Sequence, residues 1–323
     1  MSALKAPRVL PVDPKAVATP AVQRFCTLPN GLEIACQSAK ETEHIYEDIF
    51  DHRVYLSNGI TLWDGATVFD VGGNIGLFTV FLHQTFRDVV TYTFEPAPPL
   101  FETLTWNTAR YGGTCKLFPC GVSDRPRTAR LTFYPYSSGM SSFYGNEAEE
   151  KEVLRVVLEN QRRTGHAEVD TVLGISEEFL DARFTQVSFD CPLVPLSQVI
   201  RQEGVERIDL LKIDVQKSEL DVLRGLASED WPKIRQIAME VHDLDGQLAV
   251  VRGLLEEHGF SVVAEQDPLY RGSVMYNLFA VQRDLYRQLA GRGADAPVRT
   301  QTADRSQRSK AAFARLRGQR KDR

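Results

Sequence analysis

Cysteine is scarce in this sequence, and long apolar runs are missing from it. The chain of 323 residues has five cysteines and no Cys-x-x-Cys pair, which argues against a zinc site and a disulfide framework and fits reduced thiols. No run of 18 apolar residues occurs, so we expect no helix that spans a membrane. Residues 1–20 contain four prolines and lack the apolar centre of a secretory signal. We therefore expect a globular, cytoplasmic protein that does not act at a membrane.

An excess of positive charge is also missing. The formal net charge is −5, with 43% hydrophobic and 25% charged residues, which is ordinary globular composition. An acidic chain does not attract a phosphate backbone, so we expect no nucleic-acid partner. The charge is uneven, because residues 291–323 contain ten Lys or Arg and three Asp. We interpret this tail as a solvated segment, with an electrostatic tether to an acidic partner as the alternative.

The pattern of apolar and polar residues divides the chain into segments. Residues 1–24 have the composition of an extended, Pro-rich arm, and residues 25–66 predict a hairpin at an Asn-Gly turn followed by a helix that covers the site as a lid. Residues 67–283 alternate short apolar runs with helical patterns, interrupted by an insertion at about 125–195. Residues 284–323 form the basic, flexible tail.

The alternating region predicts an α/β fold with a mostly parallel sheet and crossover helices. The runs at 260–264 and 274–281 have no helix between them, so we expect these two strands to be antiparallel. A ligand of such a sheet lies beyond the carboxyl ends of its strands. These ends place Pro96, Gly121 and Val122 at the ligand site.

The sharpest motif is the glycine loop Asp-Val-Gly-Gly-Asn-Ile-Gly at residues 70–76, directly after a predicted strand. A dinucleotide fingerprint needs glycine at positions 74 and 77, and a phosphate-binding loop needs Gly-Lys-Ser/Thr, but neither pattern is present. The spacing Asp-x-Gly-x-Asn-x-Gly is typical of enzymes that use S-adenosylmethionine (SAM). The residues expected to bind this cofactor are Asp70, Gly72, Gly73, Asn74 and Gly76.

An acidic residue after the next predicted strand supports this interpretation. Glu95 lies 19 residues after Gly76, where a carboxylate accepts hydrogen bonds from a ribose diol. The alternative is a surface acid that precedes Pro96.

Four stretches of the sequence resemble the FkbM family of SAM-dependent methyltransferases: 68–79 (VFDVGGNIGLFT), 94–96 (FEP), 209–215 (DLLKIDV) with Glu219, and 222–225 (VLRG). The resemblance spans about residues 40–282. It implies the class I methyltransferase fold, a Rossmann-like and mostly parallel sheet with an antiparallel C-terminal strand. It also implies SAM as methyl donor and, most often, O-methylation of a small molecule or a sugar. The stretches at 134–144 and 231–243 are most similar to family members from natural-product pathways, so we expect O-methylation of a hydroxyl on a small-molecule secondary metabolite.

The sequence departs from the family pattern at two places. The family usually has Lys-Ile-Asp-Val-Glu-Gly-x-Glu, whereas this chain has Gln216 and Lys217 in place of the Glu and the Gly. Gly73 replaces the usual alanine. No role is therefore assigned to a carboxylate at position 216.

Polar residues at predicted strand ends are the catalytic candidates. Methyl transfer needs alignment of the reacting atoms, and a hydroxyl acceptor must also lose a proton to a base. Strand alternation places Glu240 and His242 on one face. We expect His242 to be the general base, Glu240 to orient it or bind substrate, and Asp214 to orient the acceptor and contact the cofactor. The alternatives are a helix cap for Asp214 and a satisfied polar pair for the other two residues.

The loop at 134–144 (YPYSSGMSSFY) is expected to form the wall of an acceptor pocket, since aromatic and Met side chains make adaptable contacts. The expected acceptor-binding residues are Tyr46, Tyr136, Met140 and Tyr144. A long turn is the alternative. The spacing of Asp214, Glu240 and Asp243 is not diagnostic of a metal, and we expect none.

Other functions stay open at this stage. They are methylation of nitrogen or carbon, action on a substrate tethered to a carrier protein, and a non-catalytic SAM-binding or assembly role. The sequence does not identify the acceptor, and it leaves an oligomer open.

Overall fold

The structure is a computed structural model that describes residues 10–15, 24–163 and 177–285. Most of the predicted arm, part of the predicted insertion and nearly all of the basic tail lie outside the described residues. The structural findings below refer to the described residues.

Twelve strands are present in this part of the chain. In chain order they are β1 (Phe25–Thr27), β2 (Glu33–Ala35), β3 (Thr67–Val71), β4 (Val90–Phe94), β5 (Thr114–Phe118), β6 (Gly121–Val122), β7 (Arg127–Phe133), β8 (Val187–Val194), β9 (Leu210–Ile213), β10 (Gln236–His242), β11 (Phe260–Glu265) and β12 (Met275–Gln282).

Eight α-helices accompany the strands in the described ranges. They are α1 (Ala39–Tyr46), α2 (Leu77–Thr85), α3 (Pro98–Tyr111), α4 (Glu147–Arg163), α5 (Glu177–Arg183), α6 (Leu196–Glu203), α7 (Glu219–Arg224) and α8 (Gln247–Glu257). A π-helical turn (Glu47–Asp51) and four short 3-10 turns (Val54–Leu56, Ser138–Met140, Trp231–Lys233 and Pro268–Tyr270) complete the elements.

The central sheet has seven strands in the order β11-β12-β10-β9-β3-β4-β5. Strand β12 is antiparallel to both β10 and β11, and the remaining neighbours are parallel. The fold is therefore the class I methyltransferase fold, and the predicted antiparallel pair near the C-terminus is confirmed. The inner strands are buried almost throughout, as parallel strands covered on both faces must be.

Apolar side chains pack against both faces of this sheet. One face is covered by α6, α7 and α8, with Val199, Val222 and Leu255 fully buried. The other face is covered by α2 together with the segment 25–66, whose Ile34 and Ile60 are buried in the same cluster as Phe78. The segment 25–66 is thus part of the apolar core, because it covers a face of the sheet that would otherwise meet water.

The insertion contains a small sheet of its own, in the order β6-β8-β7. Strand β8 and helix α6 have no counterpart in the sequence analysis. Pro192 lies inside β8, opposite Thr128, and a proline in an apolar run weakens the sequence signal of a strand.

Within the described ranges, no helix is both long enough and apolar enough to cross a membrane.

Candidate active site

A cavity lies at the carboxyl ends of β3, β4, β5 and β9, where the fold predicts a ligand. The strand ends form its floor, and the insertion forms its roof. The roof residues are Leu131, Ser138, Gly139, Ser141, Ser142 and Phe143. Seven of the predicted cofactor-binding residues line it: Gly72, Asn74, Glu95, Pro96, Gly121, Val122 and Asp214. The other three, Asp70, Gly73 and Gly76, do not line the cavity.

The glycine loop forms one wall because its backbone approaches β9 very closely. Gly72 has φ +85°, and a Cβ atom on it would lie 1.8 Å from the carbonyl oxygen of Asp214. The amides of Gly72 and Gly73 both donate to the carbonyl of Phe94, at 3.0 and 2.8 Å. Only glycine therefore fits at position 72. The hydrogen bonds to Phe94 and the close approach to Asp214 hold the loop between the ends of β4 and β9.

Asp70 lies beneath the loop and is fully buried. Its carboxylate is 3.1 Å from Nζ of Lys212 and accepts a 2.9 Å hydrogen bond from Oγ1 of Thr79. Lys212 in turn donates to the carbonyl of Gly72 at 2.6 Å. Burial alone would lower the pKa of Lys212, but the charges of Asp70 and Asp214 raise it. Asp70 therefore fixes the loop through Lys212.

Glu95 is buried at the end of β4 and faces the cavity. Its two oxygens accept hydrogen bonds from the amides of Asn74 at 2.8 Å and Ala97 at 2.9 Å. Burial raises the pKa of Glu95 to about 7, and these two hydrogen bonds limit the increase. The carboxylate is thus fixed in place, with lone pairs left for a ligand.

The roof of the cavity is attached to two other parts of the molecule. Ser138 Oγ and the Gly139 amide donate to Oε1 of Glu41 in α1, at 3.0 and 2.9 Å. Ser142 Oγ donates to the carbonyl of Gln216 at 2.5 Å. The insertion is therefore bonded to the N-terminal segment and to the loop after β9.

None of the four predicted acceptor-binding residues lines the cavity; these are Tyr46, Tyr136, Met140 and Tyr144. Tyr136 is 62% exposed, and Tyr144 is 49% exposed with its hydroxyl donating to Asp221. The loop that contains three of them does reach the cavity, through its smaller residues and Phe143. Their role in acceptor binding stays a prediction.

The three catalytic candidates lie at neighbouring strand ends but make separate contacts. Asp214 Oδ2 accepts a 2.7 Å hydrogen bond from the hydroxyl of Tyr55. Burial, followed by the charge of Asp214, raises the pKa of Tyr55 well above its usual value. Sequence analysis did not find Tyr55, because the contact joins positions 159 residues apart.

Glu240 accepts a 3.0 Å hydrogen bond on Oε1 from Nε2 of Gln216. Burial raises the pKa of Glu240 to about 8, the negative charge of Asp214 adds to the increase, and His242 opposes it. These surroundings thus favour the protonated form of the carboxyl group.

His242 is 1% exposed and does not line the cavity. Its Nδ1 lies 2.8 Å from Oε1 of Glu219, which also accepts a 2.9 Å hydrogen bond from the amide of Lys217. The carboxylate that orients His242 is therefore that of Glu219, whereas Glu240 bonds to Gln216. The sequence contained one signal for this, since Glu219 belongs to the quoted family motif.

Lys217 occupies the position where the family has glycine, and it keeps the left-handed backbone, with φ +69°. Its ammonium group lies 2.7 Å from Glu149 and 2.9 Å from the buried Glu150, both in α4. These ion pairs join α4 to the loop after β9.

Metal ligands do not converge in the part of the chain that the structure describes. No group of three or more His, Cys, Asp and Glu side chains there is arranged to hold a metal ion.

Comparisons with known proteins agree with this geometry. The profile described as "Methyltransferase FkbM domain" matches residues 70–262. The chain is 43% identical over 253 residues to the 31-O-demethyl-FK506 methyltransferase FkbM of Streptomyces tacrolimicus, covering 78% of this chain and 95% of that protein. It is 40% identical over 272 residues to the AMB antimetabolite synthetase AmbE of Pseudomonas aeruginosa, covering 82% of this chain and 13% of that protein.

A third relative is the methyltransferase sdnD of Sordaria araneosa, 32% identical over 238 residues, which covers 70% of this chain and 85% of that protein. The strand order, the glycine loop and these matches agree, and the chain belongs to the FkbM family of methyltransferases.

Proposed function

We propose that this protein transfers a methyl group from SAM to a hydroxyl group of a small-molecule secondary metabolite. The observation that carries the proposal is that the glycine loop, Glu95 and Asp214 line the same cavity at the strand ends.

The residues present fit SAM. Glu95 is a fixed carboxylate that can accept hydrogen bonds from both hydroxyls of a ribose. Ser218 lines the cavity, and its buried Oγ has no hydrogen-bond partner among the described residues, so it is free to bond to a polar ligand. The bound donor would be held by the seven cavity-lining residues already named. When bound, SAM supplies an activated methyl group. The sulfur atom keeps the electron pair of the broken carbon–sulfur bond and becomes a neutral thioether.

The strand ends next to this cavity support a hydroxyl acceptor. A hydroxyl must give up its proton as it is methylated, so a nearby base with a pKa close to neutral assists the transfer. Asp214 and Glu240 provide carboxylates there, and Glu240 has its pKa raised to about 8. His242 is the other candidate base, but its burial against Glu219 favours a supporting role.

The comparison with AmbE favours a second candidate, in which the acceptor is attached to a carrier protein. That protein is a synthetase, and the match with this chain covers 13% of it. A methyltransferase segment within a synthetase is consistent with an acceptor that stays attached to the synthetase while it is methylated.

The test is incubation of the purified full-length protein with SAM labelled in its methyl group and with a panel of hydroxylated metabolites, free and carrier-bound. We expect the label on oxygen, identified by mass spectrometry and NMR of the product. Label on nitrogen or carbon would replace the proposed reaction with another methylation. Calorimetry with S-adenosylhomocysteine (SAH) is the parallel measurement, and no binding of SAH would refute the use of SAM.

A further inference from the structure

We propose that Gln216 is a positioning residue that holds the carboxylate of Glu240 toward the acceptor, and that Glu240 takes the proton of the acceptor hydroxyl. This inference rests on the proposed function. It assigns a role to a position at which this chain departs from the family pattern.

The geometry of Gln216 supports the positioning role. Its side chain donates to Oε1 of Glu240 at 3.0 Å, and its carbonyl accepts the hydrogen bond from Ser142 at 2.5 Å. The following amide, that of Lys217, donates to Glu219 at 2.9 Å. Gln216 itself has φ +41°. Three hydrogen bonds therefore hold the turn, and they fix the direction of the side-chain amide of Gln216.

The location of Glu240 supports the role as base. Glu240 does not itself line the cavity, but it contacts two residues that do: it accepts the hydrogen bond from Gln216 and interacts electrostatically with Asp214. Within the described residues, Oε1 of Glu240 accepts the hydrogen bond from the side-chain amide of Gln216, and Oε2 accepts none. One carboxylate oxygen is thus oriented by the protein, and the other is left for an acceptor.

The groups around Glu240 explain why an amide serves better than a carboxylate at position 216. Asp214 from the end of β9, Glu219 from α7, His242 from β10, Tyr55 from the turn Val54–Leu56 and Tyr270 from the β11–β12 connection all interact with it electrostatically. Asn277 of β12 lies opposite Glu240 in the sheet. His242 is the one cationic partner in this set. A carboxylate at 216 would force two acids to share a proton, as like charges do at hydrogen-bonding distance.

The proton step balances as follows. The O–H bond of the acceptor breaks, its proton forms a bond to a carboxylate oxygen of Glu240, and the electron pair left on oxygen would bond to the methyl carbon of the bound donor, whose bond to sulfur would break with its electron pair kept by sulfur. The protonated Glu240 then returns its proton to water.

The first experiment is binding, which does not depend on knowing the acceptor. Sinefungin is a SAM analogue that carries a primary ammonium group where SAM carries the transferred methyl, and SAH has neither group. Calorimetry at pH 8.5 compares both compounds on the wild type and on Glu240→Gln, Gln216→Glu and Gln216→Ala. We expect Glu240→Gln to bind SAH within about twofold of the wild type and to lose about tenfold or more of its preference for sinefungin, as one charge-assisted hydrogen bond predicts. Gln216→Ala should lose part of this preference.

An unchanged sinefungin-to-SAH ratio in Glu240→Gln would overturn the inference while leaving SAM binding intact. Absence of SAH binding to the wild type would refute the proposed function itself. The two failures are thereby distinguished. Gln202→Glu, at an exposed position in α6, is the matched control for the charge change.

The second experiment is the pH profile of kcat/KM with whichever acceptor the panel identifies. In Gln216→Glu the acid limb should move to higher pH, because the added carboxylate raises the pKa of Glu240. In Glu240→Gln the limb should disappear and kcat should fall by about 10²- to 10⁴-fold. A profile of Gln216→Glu that superimposes on the wild type would contradict the positioning role, since a purely structural residue would leave the limb in place.

Discussion

Nδ1 of His242 lies 2.8 Å from Oε1 of Glu219, and both side chains are at most 2% exposed. The pair joins the end of β10 to the first turn of α7, directly behind the turn at Gln216. Burial by itself would lower the pKa of His242, but the hydrogen bond and charge of Glu219 outweigh it, so the pKa is raised above its usual 6.5.

The His242–Glu219 pair should make stability depend on pH. A raised pKa means that the folded state binds the proton more tightly than the unfolded state, so the contribution is fully present below about pH 6.5 and is lost as pH rises through the folded-state pKa. We expect His242→Gln to be less stable than the wild type by roughly 1–3 kcal/mol at pH 6, and the difference to shrink by pH 9. Urea unfolding at both pH values measures it, with the half-exposed His44→Gln as control. A difference that grows with pH would contradict the assignment.

The buried Asp70–Lys212 pair should be costly to break from one side. Asp70→Asn leaves the ammonium of Lys212 buried, with Asp214 at 3.8 Å and the charge of Glu95 as its remaining carboxylate partners. We expect a loss of about 3–5 kcal/mol in the free energy of unfolding, and a smaller loss in the double variant Asp70→Asn, Lys212→Met. Lys116→Met breaks an ion pair in which the lysine is 37% exposed, and it should cost less than about 1 kcal/mol. Equal losses for the two single variants would show that burial does not set the cost.

The carboxyl group of Glu95 should control donor affinity through its ionisation. Its pKa is raised to about 7 by burial, so the group gains a proton as pH falls below 7 and can then accept fewer hydrogen bonds. We expect the affinity for SAH to fall between pH 8 and pH 6 in the wild type. Glu95→Gln should bind SAH about 10- to 100-fold more weakly at pH 8 and should show a flatter pH dependence. Calorimetry across this range measures both, with Glu102→Gln, at an exposed position in α3, as control; a pH dependence that survives in Glu95→Gln would contradict the assignment.

Gly72 should not tolerate a side chain. Its φ of +85° and the 1.8 Å approach of the Asp214 carbonyl to a Cβ atom combine strain with a backbone collision. We expect Gly72→Ala to abolish SAH binding and to lower the melting temperature. Gly204→Ala is the matched control, because Gly204 also has positive φ, at +63°, but has open space around its Cβ position. It should cost about 1 kcal/mol and leave SAH binding unchanged. Similar effects in both variants would assign the cost to backbone strain alone.

Much of the fold followed from local patterns. The strand–helix alternation, the glycine loop after β3 and the acid after β4 are short-range features, and the structure places Gly72, Asn74 and Glu95 in one cavity. The missing helix between the last two strands correctly predicted an antiparallel pair. Strand β8 was not predicted, because the proline inside it weakens the sequence pattern of a strand. Pairing with β6 and β7 stabilises it in the structure.

Local sequence patterns were enough to predict the sheet, its ligand-binding edge and the family, because hydrophobic periodicity and turn residues act over a few positions. The pairing of the polar groups depends on the tertiary structure. Alternation along β10 placed Glu240 and His242 together, but α7 brings Glu219 to the histidine, and the turn after β9 brings Gln216 to the glutamate. Hydrogen bonds between residues more than 20 positions apart depend on how elements dock, and that docking is set by packing of the whole core.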